Sequence, residues 1–308
     1  MSKQLTLSAS PHIHCGRSTW RVMLDVILAL LPATVAGCVI FGLRALLVVA
    51  LTVASSVGFE ALFNLITKKK QTVGDLSAVV TGLLLALNLP ATIPLWQCVV
   101  GALFAIVVVK CLFGGLGQNP VNPAITARVF MLVAFGSMAT AAFPTVVDTV
   151  AGATPLASEQ ATSLTDLLLG LHGGAIGETC AAALLVGFIY LLVRRVISWH
   201  LPVVFIGTVF LASLCMEGFN FTAALAAVLS GGLLIGAIFM ATDYVTSPAT
   251  AWGKVIFGVG AGLITFMIRY FGVYPEGVSF AILLMNIVTP FIDSWTKHKV
   301  FGKGGKQA

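Results

Sequence analysis

The stretch SAVVTGLLLALNLP, residues 77–90, decides the fold when it is read with GGLGQNPVNPAI, residues 114–125. The first is an apolar run of small and straight-chain residues that stops at Asn88 and Pro90. The second opens another apolar run through two prolines. Backbone groups freed at such breaks need partners if the surroundings are lipid, and Asn side chains can supply them. The three-part pattern returns in AAVLSGGLLIGAIFMATD, residues 226–243, followed by a spacer and then FGVYPEGVSFAI, residues 271–282. Each part of the chain thus has a small-residue helix with a polar break, a spacer helix, and a Gly/Pro-rich start to a last helix. Repeats with interrupted helices in matching positions point to a site buried between the repeats.

Composition makes lipid the solvent. Of 308 residues, 58% are hydrophobic and 9% charged, against about 25% charged in a soluble domain. The mean hydropathy is +1.03. Apolar runs lie near 21–42, 45–66, 75–89, 94–113, 121–142, 178–194, 201–216, 221–241, 254–271 and 277–295. The expected class is an all-α polytopic membrane protein of roughly ten transmembrane helices. Five runs per half is an odd number, so the halves are expected as two inverted repeats with interrupted helices. The resulting plan is an N-terminal cytoplasmic segment 1–20, a first repeat 21–142, an external loop 143–177, a second repeat 178–296 and a basic tail 297–308.

Charge sets the expected orientation. With the N-terminus cytoplasmic, all of the 17 basic residues except Arg44 and Arg269 fall inside, including Lys110 and Arg128. That asymmetry is the positive-inside bias, and it puts both termini in the cytoplasm. The basic residues form no aromatic-interleaved patch, which argues against nucleic acid as a partner. The six cysteines lack metal-type spacing and read as small apolar residues within helices. The histidines, His12, His14, His172, His200 and His298, are scattered without a metal-ligand spacing.

Ionisable residues in apolar runs are costly and so are weighed singly. Asp25 and Glu60 read as interfacial, Glu178 as a helix cap, and Asp293 as interfacial beside Trp295. Asp243 and Glu276 adjoin the breaks and are the candidates for an ion pathway. Asn88, Asn119 and Asn122 either satisfy freed backbone or line a polar waist that binds an ion or ligand; both readings stand. No Walker loop, dinucleotide fingerprint or nucleophile elbow is present.

Five motifs in fixed order complete the reading: SPHIHCGRST (10–19), GLGQNPVNPA (115–124), DTVAGATPL (148–156), MATD (240–243) and YPEGVSFAILLMNIVTPFID (274–293). Together they resemble the D subunit of the Rnf ion-translocating electron-transport complex, with the B subunit of the sodium-pumping NADH:quinone reductase more distantly similar. The resemblance implies a multi-pass protein of the bacterial cytoplasmic (inner) membrane with an inverted-repeat fold. It would be part of a ferredoxin:NAD oxidoreductase that exports Na⁺ or H⁺, working with other membrane and peripheral subunits and not active alone. In that family a D-x-x-S-G-A-T signature receives FMN from a separate flavin transferase, by a phosphoester to the threonine hydroxyl. Here the match is Asp148, Gly152, Ala153 and the acceptor Thr154, with Ala151 where the family has Ser. A second, non-covalent flavin, riboflavin, is implied among the helices, and the breaks at Asn88, Asn119 and Asn122 are taken as its place. The alternative from another class is a channel or secondary transporter for a small polar solute, which has no use for a flavin acceptor at Thr154.

Overall fold

The computed structural model describes residues 18–139, 163–272 and 277–297, and among them the regular structure is helical. The first half holds α1 (Thr19–Phe41), α2 (Leu43–Ile66), α3 (Ser77–Leu87), α4 (Leu95–Leu103) and α5 (Pro123–Ala134). A short α6 (Leu164–Leu169) leads to α7 (Ala181–Val193), α8 (His200–Met216), α9 (Phe221–Leu229), α10 (Leu233–Ile235), α11 (Ala251–Phe271) and α12 (Val278–Thr296). Two helices continue with wider π-type turns, α4 through Phe104–Cys111 and α10 through Gly236–Met240.

Each of the ten apolar runs contains helix. Among the described residues four helices, α1, α2, α11 and α12, are long and apolar enough to cross a bilayer, α9 with α10 makes a fifth bent by 65°, and the others are shorter. The 11 residues of α3 reach only about half of a ~30 Å hydrocarbon core at ~1.5 Å per residue. α5 likewise stops at Ala134, inside an apolar run that continues to 142, which a hydropathy profile cannot register.

Helix directions follow from contacts. On α2, Thr52 meets Cys98 of α4 and Glu60 meets Lys110 farther along, so α2 and α4 run parallel. On α11, Gly258 lies against Leu201 and Val204, and Gly262 against Phe205 and Thr208, so α8 and α11 are parallel as well. In both halves the chain between the parallel helices must therefore return, through α3 in one and through α9 and α10 in the other. A Cβ on Gly262 would stand 2.6 Å from the Thr208 Cβ; glycines four apart are what let α8 and α11 approach so closely. Across the halves, α1 packs on α7 and α5 on α12. Asp25 of α1 bonds Arg194 and Tyr190, while Ala29 lies against Gly187, so α1 and α7 are antiparallel.

The breaks are satisfied by named groups. Gly231 takes φ 66°, which glycine adopts without steric cost. Arg269 donates to the carbonyls of Ala227 and Ser230 at that break. Arg44 donates to those of Ala91 and Ile93, beyond the end of α3. These are the two basic residues that the charge count leaves outside, and both bind freed carbonyls. Lys110 and Arg128, counted with the cytoplasmic charges, are buried among the helices.

Candidate functional site

A cleft open at its mouth lies between the halves. Its walls include Ser77, Lys110, Asn119, Asn122, Thr242 and Asp243. Asn122 is held by its own helix: its side-chain oxygen accepts from the N–H groups of Ala124 and Ile125, capping α5 ahead of Pro123. Its amide nitrogen then reaches across the halves to the Met240 carbonyl, 3.1 Å away. Asn286 of α12 completes the crossing. With its amide oriented to satisfy both atoms, it donates to the Thr246 carbonyl and accepts from the Asn122 N–H. Asn119 donates to the Val121 carbonyl, shaping the turn before α5.

Asp243 sits in the turn after the bent span, accepting from Thr246 Oγ1 at 3.1 Å. Desolvation pushes its carboxyl above the ordinary range, against the pull of the Thr246 hydroxyl and of the Val245 and Tyr244 backbone. A carboxyl so placed is a candidate for binding a cation or holding a proton.

Asn88 takes a different place from its companions. It is buried behind the cleft wall, with its amide donating to the Leu84 carbonyl at 2.7 Å and to Met240 Sδ at 3.4 Å. Its oxygen accepts from Arg128 Nη1 at 2.6 Å. The ends of α3, of the bent span and the start of α5 thus converge on Met240.

Sequence reasoning missed the layer beneath. Arg128 Nη2 stands 3.8 Å from Glu178 Oε2, both side chains buried. Glu178 does not cap α7, which begins at Ala181 with Cys180 at the cap position. Its Oε1 instead accepts from the Ala175 N–H at 2.8 Å. Residues 172–179 are buried, held by bonds from the Ile176 and Gly177 N–H groups to the carbonyls of Leu89 and Leu87. Gly232 closes the layer: a Cβ there would lie 3.0 Å from Arg128 Nη1 and 3.2 Å from Glu178 Oε2. The signal available in the sequence was an arginine inside an apolar helix, directly after a double Asn-Pro break.

Glu60 and Lys110 form a second buried pair, 2.9 Å apart, rather than the interfacial carboxylate expected at Glu60. Lys110 also donates to Ser77 Oγ at 2.6 Å, and both residues line the cleft. Thr154, with Asp148, Gly152 and Ala153, and also Glu276, lie outside the described residues.

Long apolar helices, a bent span and a cleft that carries polar side chains between two halves define a polytopic membrane protein. Comparison with known proteins gives the family. A model of the NQR2, RnfD, RnfE family matches residues 6–302. The chain is 48% identical over 307 residues to the D subunit of the Na⁺-translocating ferredoxin:NAD⁺ oxidoreductase complex of Acetobacterium woodii, covering 97% of this chain and 95% of that one. It is 40% identical to the D subunit of the proton-translocating ferredoxin:NAD⁺ oxidoreductase complex of Clostridium ljungdahlii, covering 96% of each. It is 36% identical to the D subunit of the ion-translocating oxidoreductase complex of Escherichia coli K12, covering 96% of this chain and 98% of that one. The chain belongs to the NQR2, RnfD, RnfE family, and the resemblance to Rnf D subunits read from its motifs is borne out.

Proposed function

We propose that this chain is the D-type membrane subunit of an Rnf-type ion-translocating ferredoxin:NAD oxidoreductase complex of the bacterial cytoplasmic membrane. The observation that carries the proposal is near-full-length similarity, 48% and 40% identical, to relatives named as the D subunits of such complexes. One of those relatives is named for Na⁺ and the other for protons, so the exported ion is either.

Thr154 is the proposed acceptor of covalent FMN, delivered by a flavin transferase to a loop outside the membrane. Its hydroxyl is the oxygen a phosphoester needs, and Gly152 and Ala153 are residue types small enough to permit the enzyme's close approach. The flavin supplies the electron-accepting chemistry; the chain positions it. The cleft is the proposed place of the non-covalent flavin. Asn119, Asn122 and Lys110 offer polar contacts there, between apolar walls that include Val26, Leu84 and Phe239. Asn88 faces Arg128 and would act on the cleft through Met240.

The inverted-repeat reading is supported by the pairing of α1 with α7, antiparallel and across the halves. Ion movement is proposed to use the polar waist around Asn122 and Asp243 as the halves shift against each other, with Glu276 a further candidate from the sequence alone. The charge bias supports cytoplasmic positions for both termini.

The test uses membrane vesicles from cells with and without the gene. The account expects ferredoxin-dependent NAD reduction and the coupled ion uptake to be lost together without the chain and restored by it. Retention of both activities in its absence would contradict it.

A further inference from the structure

We propose that Glu60 and Lys110 form a proton route from the surface at Thr72 to the cleft, with Lys110 Nζ as the group that hands over the proton. The inference rests on the reading above, in which the cleft holds the non-covalent flavin.

The geometry is a continuous hydrogen-bonded line. Thr72 is exposed and donates from Oγ1 to Glu60 Oε1 at 2.6 Å. Asn64 steadies that hydroxyl, donating to it at 3.0 Å. The other Glu60 oxygen meets Lys110 Nζ at 2.9 Å, and each of the two residues is 2% exposed. An ammonium carries three donors. One is used on Glu60 and one on Ser77 Oγ. The third is left for the cleft whose wall Lys110 forms. Lys110 lies in the π-turn Phe104–Cys111, a distortion found frequently at functional sites. A buried pair kept only for stability has no need of a path to the surface at one end and a cavity at the other.

Other charges facing the pair are few. Asp75 accepts from Ser77 on the adjoining turn. Lys69 lies exposed over the Phe63 ring, 5.8 Å from its centroid. Asp243 shares the cleft with Lys110.

The transfer balances. As an electron from an iron–sulfur or flavoprotein partner brings negative charge into the cleft, Lys110 Nζ gives one proton to the acceptor atom. Glu60 takes one proton through the Thr72 hydroxyl, which regains its own from surface water, and passes it to Nζ. One proton leaves the water and one reaches the acceptor, and Glu60 and Lys110 end with their starting charges.

The experiment uses the whole purified complex carrying wild-type chain, Glu60→Gln or Thr72→Val. Flavin reduction is followed by rapid mixing in H₂O and D₂O across a pH series, and releasable flavin is measured after denaturation. The wild type should be slower in D₂O and at higher pH. Both variants should retain the releasable flavin and lose that pH dependence, with Glu60→Gln slowed up to roughly 10²-fold. Thr72→Val leaves the buried pair in place, so it decides the matter if Glu60→Gln fails to assemble. Full flavin content with wild-type rates and isotope effects in the variants would overturn the proton route while leaving the cleft reading intact. Wild-type complex without releasable flavin would remove the cleft reading, and the route with it.

Discussion

Arg128 and Glu178 meet 3.8 Å apart, one in α5 of the first half and the other just ahead of α7 in the second. Neither reaches solvent, and Asn88 holds the arginine from the far side. Among the described residues a second ion pair joins the halves, from the half-exposed Arg194 to Asp25. The halves are therefore tied by charge at two places, and only the second is wet. Removing one partner of a buried pair strands the other, whereas removing both can be nearly neutral.

That asymmetry gives the first prediction. Arg128→Met or Glu178→Leu alone should destabilise the protein by about 3–5 kcal/mol, and the double variant by clearly less than the sum. Thermal unfolding in detergent checks it. Additive losses would mean that the two side chains contribute independently.

Gly262 tests the close approach of α8 and α11. The Cβ of Gly262→Val would fall 2.6 Å from the Thr208 Cβ and 3.2 Å from the Phe205 carbonyl oxygen. Overpacking of this kind costs about 1–3 kcal/mol. Gly58, where an added Cβ meets nothing within 4 Å, is the control, and Gly58→Ala should leave the melting temperature unchanged or slightly raised.

Asp243 separates binding from transport. In proteoliposomes of the complex, ion uptake should fall more than flavin content in Asp243→Asn. Asn122→Asp keeps an oxygen to cap α5 but loses the donor to the Met240 carbonyl; Asn122→Ala loses both and about 1 kcal/mol of helix capping. Because Asn122 also lines the proposed place of the non-covalent flavin, both Asn122 variants should lower uptake and flavin together. Parallel loss of uptake and flavin in Asp243→Asn would count against an ion route through the waist.

How much could be read in advance follows from what each signal measures. Apolar runs mark where helices lie, so all ten segments were legible. Their exact lengths were not: α3 has 11 residues, and α5 stops at Ala134 inside a run that continues to 142. The Asn-Pro breaks announced a polar convergence, and Asn119, Asn122 and Asp243 do share the cleft. That Asn88 turns to Arg128 depends on a tertiary contact between α3 and α5, which no local pattern carries. The burial of Arg128 and Lys110 was hidden for a related reason. A charge count treats every basic residue as wet, and only the fold shows that Glu178 and Glu60 wait for them inside.

The central claim is covalent flavin on Thr154, and the most direct measurement is flavin fluorescence of the denatured polypeptide in a gel. The chain is expressed with its flavin transferase beside a Thr154→Ala variant. The account predicts a fluorescent band for the native sequence and a dark one for the variant. A dark native band from folded protein with an active transferase, or a variant that still fluoresces, would contradict it.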